Sequence, residues 1–195
     1  MAWRVDLYPS KARTKYEYGP KGPEMMGKIS VSEPRLTPDQ VAPRVIISGK
    51  ISQTALFVMG AGGSWIVSER FKDIVESLEP GIHNWLPTDL VYADGKRVPE
   101  PHYFLQVGQT LDTVIFERTA FNSGVSATGE HYVTFPKTDH LMTLDREKIA
   151  GKHLWKEKYA GYQDTFFSNE LIKTLKKLRL GRGFQLFDCN EETAP

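Results

Sequence analysis

The residues that could support metal or nucleophilic chemistry in this sequence are its histidines, its cysteine and two serines. The five histidines are His83, His102, His131, His140 and His153. None of them belongs to a His-x-x-x-His or Cys-x-x-Cys pattern of the kind that binds zinc. Asp139 and His140 form the nearest local pair, and an ordinary turn explains that pair better than a ligand set. We therefore predict no metal site and no cofactor.

Covalent catalysis needs an activated nucleophile with a base in hydrogen-bond reach. Cys189 is followed by Glu191 and Glu192, and negative charge disfavours a thiolate. Ser68 and Ser168 both lie just before an apolar helical pattern, where a serine side chain caps the helix. We predict no catalytic residue. An enzyme whose carboxylates and histidines are dispersed along the chain stays open as an alternative.

Two helices are predicted after those serines. Phe71, Ile74, Val75 and Leu78 follow Ser68 at helical spacing, and Leu171, Ile172, Leu175 and Leu178 follow Ser168. An offset of 168 − 68 = 100 residues aligns both patterns, each preceded by an aromatic strand and followed by another apolar segment. An internal duplication and two independent uses of one strand-helix-strand design both fit this pattern.

The fold class predicted from these elements is α+β, with mixed or antiparallel sheets and a few short amphipathic helices. Residues 1–44 hold a possible strand from Ala2 to Tyr8 and six prolines, which predict an extended arm laid over a core. Residues 45–140 form a β-rich part with the first strand-helix unit, and residues 141–195 form the second. The β-rich part includes predicted strands at Tyr103–Val107, Thr113–Phe116 and His131–Phe135. One continuous domain is also compatible with this division.

Charge and composition narrow the classes of partner. The 25 Lys and Arg against 24 Asp and Glu give a net charge of +1, which offers no global field for nucleic acid. A basic segment at residues 146–182, interleaved with aromatic residues, keeps a nucleic-acid-associated protein as an alternative, although nucleic acid is disfavoured. One cysteine, no signal-peptide pattern and no apolar run of about 20 residues predict a cytoplasmic protein without membrane contact. The oligomeric state is not determined by these features.

Three stretches carry a resemblance to a known family. They are the run from Trp65 to His83, Lys152-His-Leu-Trp155, and the run from Thr165 to Leu175. Together they resemble a bacterial family of immunity proteins of polymorphic toxin systems, the Myxococcus-type immunity domain, which was formerly a domain of unknown function. The similarity covers residues 65–92 and 145–188 and leaves the first 44 residues outside.

The resemblance implies an α+β cytoplasmic protein that binds a cognate toxin and blocks its active site or its access to substrate. An HNH-type nuclease is the toxin class considered. Such an active site attracts phosphate, so an acidic surface is able to mimic its substrate. The acidic stripe on the first helix, formed by Glu69, Asp73, Glu76 and Glu79, is the predicted partner-binding site, and a plain solvated helix face is the alternative.

Overall fold

A computed structural model describes most of the chain. The described residues are 1–7, 13–19, 34–48, 57–59, 65–125, 131–159, 164–178, 180 and 184–194. The glycine-rich turn at residues 60–63 and the predicted helix-ending residues Gly181 and Gly183 lie outside this set. Among the described residues, no helix is long and apolar enough to cross a lipid bilayer.

The first of two six-stranded sheets is built from the N-terminal half. Its strands, in spatial order, are β2 (Arg13–Glu17), β3 (Arg44–Ser48), β6 (Asn84–Tyr92), β7 (His102–Gln106), β5 (Trp65–Ser68) and β4 (Phe57–Met59). Helix α1 (Glu69–Leu78) connects β5 to β6. Only β3 and β6 pair in parallel, and every other neighbouring pair in this sheet is antiparallel.

The second sheet combines the C-terminal strands with the first strand of the chain. In spatial order it contains β11 (Thr143–Asp145), β14 (Phe184–Glu192), β1 (Ala2–Leu7), β13 (Thr165–Ser168), β12 (Leu154–Glu157) and β8 (Thr110–Leu111). Helix α2 (Asn169–Lys177) connects β13 to β14. A separate pair of strands, β9 (Asn122–Val125) and β10 (His131–Thr134), forms an antiparallel hairpin.

The two strand-helix-strand units have the same topology. In each unit the strands that flank the helix run parallel with one strand between them, which is antiparallel to both: β7 in the first sheet and β1 in the second. The next strands outward also match. On one side, β3 pairs in parallel with β6 in the first sheet, as β11 does with β14 in the second. On the other side, β4 pairs antiparallel with β5, as β12 does with β13. The offset of 100 residues in the sequence thus relates equivalent strands and helices.

A shared apolar core joins the two units. Phe71 and Val75 on α1 and Leu171 and Leu175 on α2 are completely buried, as the helical spacing predicts. The ring of Phe167 on β13 lies 5.9 Å from the ring of Phe71, which belongs to the other unit. Burial of a side chain of this size is worth about 2–3 kcal/mol, so the contact between the units is a substantial part of the fold.

Each sheet also has an outer face with its own core. Leu36, Val41 and Ala42 cover the first sheet against buried residues such as Val45 and Phe104. The outer face of the second sheet is covered by side chains that include Val114, Phe135, Met142 and Ile149. The α+β class is therefore confirmed. The division of the chain into three segments stays a prediction, although β1 of the first segment is an inner strand of the second sheet.

Candidate functional site

The acidic residues of α1 are not equivalent in the structure. Asp73 is exposed and, within the described part of the chain, its carboxylate has no hydrogen-bond or ion-pair partner. Glu69 is half-buried and accepts a hydrogen bond of 3.3 Å from the Tyr103 hydroxyl. Glu76 is also half-buried, and its two oxygens accept from Trp85 Nε1 at 2.5 Å and from the Gly81 amide at 2.9 Å. Asp73 is thus the member of the stripe that is free to bind a partner.

Glu79, the fourth member, lies inside the protein and not on a solvated face. Only 6 % of this residue is exposed. Its Oε1 accepts from Gln109 Nε2 at 2.8 Å and from the His153 amide at 2.9 Å. Its Oε2 is 3.0 Å from both the Leu154 amide and His83 Nε2. Glu79 therefore has a structural position, because four neighbours saturate its carboxylate.

The electrostatics of this buried group follow from those contacts. Burial on its own raises the pKa of Glu79, but hydrogen bonds from His83, His153 and Gln109 outweigh burial and hold the pKa below its ordinary value. His83 Nδ1 accepts from the Gly108 amide at 3.2 Å, so its proton is on Nε2 and is donated to Glu79. These hydrogen bonds compensate the cost of burying the charged carboxylate of Glu79.

The nucleophile candidates also have structural roles. Burial raises the pKa of the Cys189 thiol to about 12, which keeps it protonated at neutral pH. Ser168 Oγ caps α2 by accepting from the Leu171 amide at 3.1 Å, as the sequence predicts. His153 Nδ1 is 2.9 Å from the same oxygen, yet the Glu170 carboxylate also approaches that same nitrogen, at 3.9 Å. A relay requires the acid on the opposite ring nitrogen, so this arrangement fits a cap.

Ser68 occupies the equivalent position in the first unit, but the predicted cap bond is absent. The Arg70 amide instead donates to Glu100 Oε1 at 3.1 Å, and the Arg70 side chain also binds that carboxylate. The Glu69 amide donates to the Pro101 carbonyl at 2.9 Å. Ser68 is the N-cap residue of α1 as predicted, but the predicted hydrogen bond to its hydroxyl is wrong, because a distant acid reaches the same helix terminus.

Metal and nucleic-acid chemistry receive no support from the described residues. No group of three or more His, Cys, Asp and Glu side chains in that part of the chain is arranged to hold a metal ion. Within the basic segment 146–182, Trp155 is completely buried and Lys156 is 9 % exposed. Arg179, Arg182 and Tyr162 lie outside the described residues. Trp155 is not available for stacking on a base, and Lys156 is not available to bind a phosphate.

A surface that the sequence analysis missed lies over the outer face of the second sheet. Phe116, Phe121 and Tyr159 form a cluster of rings, which we call the aromatic surface. The Phe116 ring is 5.5 Å from that of Phe121 and 5.3 Å from that of Tyr159, both edge to face. Phe121 is 45 % exposed and Tyr159 is 39 % exposed. An aromatic residue directly before the turn signal Asn122-Ser-Gly was the available clue in the sequence.

The comparisons with known proteins identify the family. The model described as Immunity protein family (Imm11) matches residues 15–191. No curated protein matches the sequence. The family match includes all three stretches of the resemblance, and it begins within the Pro-rich segment that the resemblance had left outside. Because the match spans most of the length of the chain, the chain belongs to the immunity protein family Imm11.

Proposed function

We propose that this chain is an immunity protein that neutralises a cognate bacterial toxin by stoichiometric binding. The observation that carries the proposal is the family match over residues 15–191. Binding of this kind needs only a stable scaffold and a complementary surface of about 800 Å² on each partner. Ser168, which caps α2, and the buried Cys189 both have structural positions, which is consistent with a scaffold that performs no covalent chemistry.

We further propose a polymorphic toxin system as the context, the cytoplasm as the site of action and an HNH-type nuclease as the toxin. The predicted acidic contact now involves three residues of α1, since Glu79 is buried. Asp73 is its best-placed member, with Glu69 and Glu76 beside it on the same helix. A partner with a phosphate-binding active site would meet negative charge there.

The decisive experiment uses the protein encoded by the gene next to the one that encodes this chain. We expect the purified pair to form a stable complex, and expression of the chain to rescue cells from the neighbouring toxin. Inhibition of the toxin should be complete at one equivalent and partial below it, because an inhibitor that only binds cannot turn over. Neutralisation by a small fraction of an equivalent would support an enzyme, and failure of both binding and rescue would remove the proposal.

A nuclease assay tests the toxin class separately. The neighbouring protein is incubated with double-stranded DNA and with RNA in the presence of Mg²⁺, with and without this chain. Cleavage that disappears on addition of the chain supports a nuclease toxin. A toxin that kills cells without cleaving either polymer would contradict the nuclease assignment and leave the immunity function intact.

A further inference from the structure

We infer that the toxin binds this chain through the aromatic surface formed by Phe116, Phe121 and Tyr159, and that the toxin presents a basic face to it. The inference rests on the proposed function, since it names the surface at which the proposed partner binds. It differs from the α1 prediction, which places the contact at Asp73.

Exposure is the first argument for this surface. Large apolar side chains that are well exposed mark interaction sites when they occur together. Phe121 and Tyr159 are 45 % and 39 % exposed, and both are in ring contact with Phe116. Leu141 is a further exposed apolar residue, and its carbonyl accepts a hydrogen bond of 2.8 Å from the Ala120 amide beside Phe121. On α1, by contrast, Phe71 and Val75 are completely buried.

Rigidity is the second argument. Phe116 packs at 6.1 Å on the ring of Phe135, which is 5 % exposed and belongs to the core below. The Tyr159 hydroxyl is 3.4 Å from the Asp112 carboxylate. Aromatic side chains held in place before binding lose little conformational entropy when a partner arrives, and aromatic residues dominate the binding energy of protein interfaces.

Charge at the rim identifies the chemistry of the partner. The Lys158 ammonium is 3.5 Å from the Asp112 carboxylate, and Arg118 is ion-paired with Glu192. Both rim cations are therefore already neutralised by acids of this chain. Glu117, which is exposed, forms no ion pair within the described part of the chain. Among the described residues, the uncompensated charge of the rim is negative and complements a partner rich in Lys and Arg.

The aromatic rings reinforce this preference for cations. The Lys158 ammonium lies 5.1 Å from the centre of the Tyr159 ring, at a distance typical of a cation–π contact. A partner's Arg side chain is able to stack on the exposed ring faces in the same way. A toxin that cleaves nucleic acid carries its positive charge on the face that binds phosphate. Docking of that face on the aromatic surface would exclude the substrate.

The test compares matched variants of the full chain in binding to the toxin domain encoded by the neighbouring gene. We expect the double substitution Phe121→Ser and Tyr159→Ser to raise the Kd by about 100-fold or more, because two aromatic anchors are lost. Glu117→Lys should lower the association rate by about 3–10-fold at low salt. Leu178→Ser removes an apolar side chain directly after α2 that is 51 % exposed, and it serves as the control.

Asp73→Lys distinguishes the two surfaces. If the aromatic surface is the contact, Asp73→Lys and Leu178→Ser leave the Kd within about 2-fold of the wild-type value. A large effect of Asp73→Lys together with wild-type binding by the double serine variant would overturn the inference while the proposed function stands. Failure of the wild-type chain to bind would contradict the proposed function itself.

Hydrogen exchange on the wild-type complex keeps the inference testable if the serine variants fold poorly. Toxin binding should slow exchange of the amides from Asp112 to Asn122 and around Tyr159. Protection confined to α1 would overturn the inference in the same way as the Asp73→Lys result.

Discussion

Glu79 Oε2 accepts a hydrogen bond of 3.0 Å from the Leu154 amide. Glu79 follows the last residue of α1 in the first unit, whereas Leu154 begins β12 of the second sheet. A single buried carboxylate thus connects the two strand-helix-strand units, in addition to the apolar contact between Phe71 and Phe167.

Replacement of Glu79 by alanine should strongly destabilise the fold. The substitution leaves the amides of His153 and Leu154 and the ring nitrogen Nε2 of the buried His83 without this acceptor. Each unsatisfied buried donor costs about 1–3 kcal/mol, so we expect a total loss of about 3 kcal/mol or more. Urea unfolding measures it. Asp73→Ala is the matched control, with an expected change below about 0.5 kcal/mol, and equal effects of both substitutions would contradict the prediction.

The lowered pKa of Glu79 predicts how stability depends on pH. A carboxyl whose pKa is lower in the folded than in the unfolded chain adds stability above its unfolded value, near 4.5. That contribution disappears as the pH falls through the lower folded pKa. Glu79→Gln has no such proton to bind, so its free energy of unfolding should fall less than that of the wild type between about pH 5 and pH 3. Parallel curves for the two proteins would refute this assignment.

Lys156 predicts a second rise of stability with pH, in the alkaline range. Burial lowers the pKa of its ammonium group from 10.5 to about 8, and the Asp164 carboxylate only partly compensates. Between these values the unfolded chain holds a proton that the folded chain has released, so stability rises with pH. Lys156→Met should flatten this rise and increase the free energy of unfolding at pH 7 by about 2 kcal/mol.

The control for this substitution is Lys177→Met at an exposed position of α2, where the change should stay below about 0.5 kcal/mol. Chemical unfolding at pH 7, 9 and 10 would measure the free energy of unfolding of both proteins. A pKa difference of one unit between the folded and unfolded chain corresponds to about 1.4 kcal/mol. A marked loss of stability in Lys156→Met at pH 7 would show that the contacts of the ammonium group outweigh its burial.

Gly108 is required by a close approach of two backbone segments. A Cβ atom built at this position would lie 1.8 Å from the Ile82 carbonyl oxygen, so an alanine would force the segments apart. That movement would also break the hydrogen bond from the Gly108 amide to His83. We expect Gly108→Ala to cost about 2–3 kcal/mol and to lower the Tm. Gly19→Ala is the control, because no atom of the described residues beyond its chain neighbours lies within 4 Å of the added Cβ, and its Tm should be almost unchanged. Similar Tm values for both variants would contradict the steric argument.

Local patterns predicted the helices and most of the strands correctly. The segments Tyr103–Val107 and His131–Phe135 were predicted as strands and correspond closely to β7 and β10. The predicted strand Thr113–Phe116 is wrong: Val114 makes an isolated bridge to Leu144, and Phe116–Arg118 is a short 3-10 helix. An apolar run of four residues does not distinguish these outcomes, because either conformation buries it.

The sequence by itself determined the α+β class, the two amphipathic helices, the Ser168 cap and the family, since each depends on residues close together in the chain. The tertiary structure alone decided that β1 lies between β13 and β14, that Glu79 is buried and that the aromatic surface is exposed. The physical reason is that strand pairing and burial depend on segments that are far apart in the chain, such as Leu7 and Phe184, which pair in the second sheet. A helical period marks the face of a helix that is apolar, but the partner that packs against each side chain is selected only when the distant segments meet.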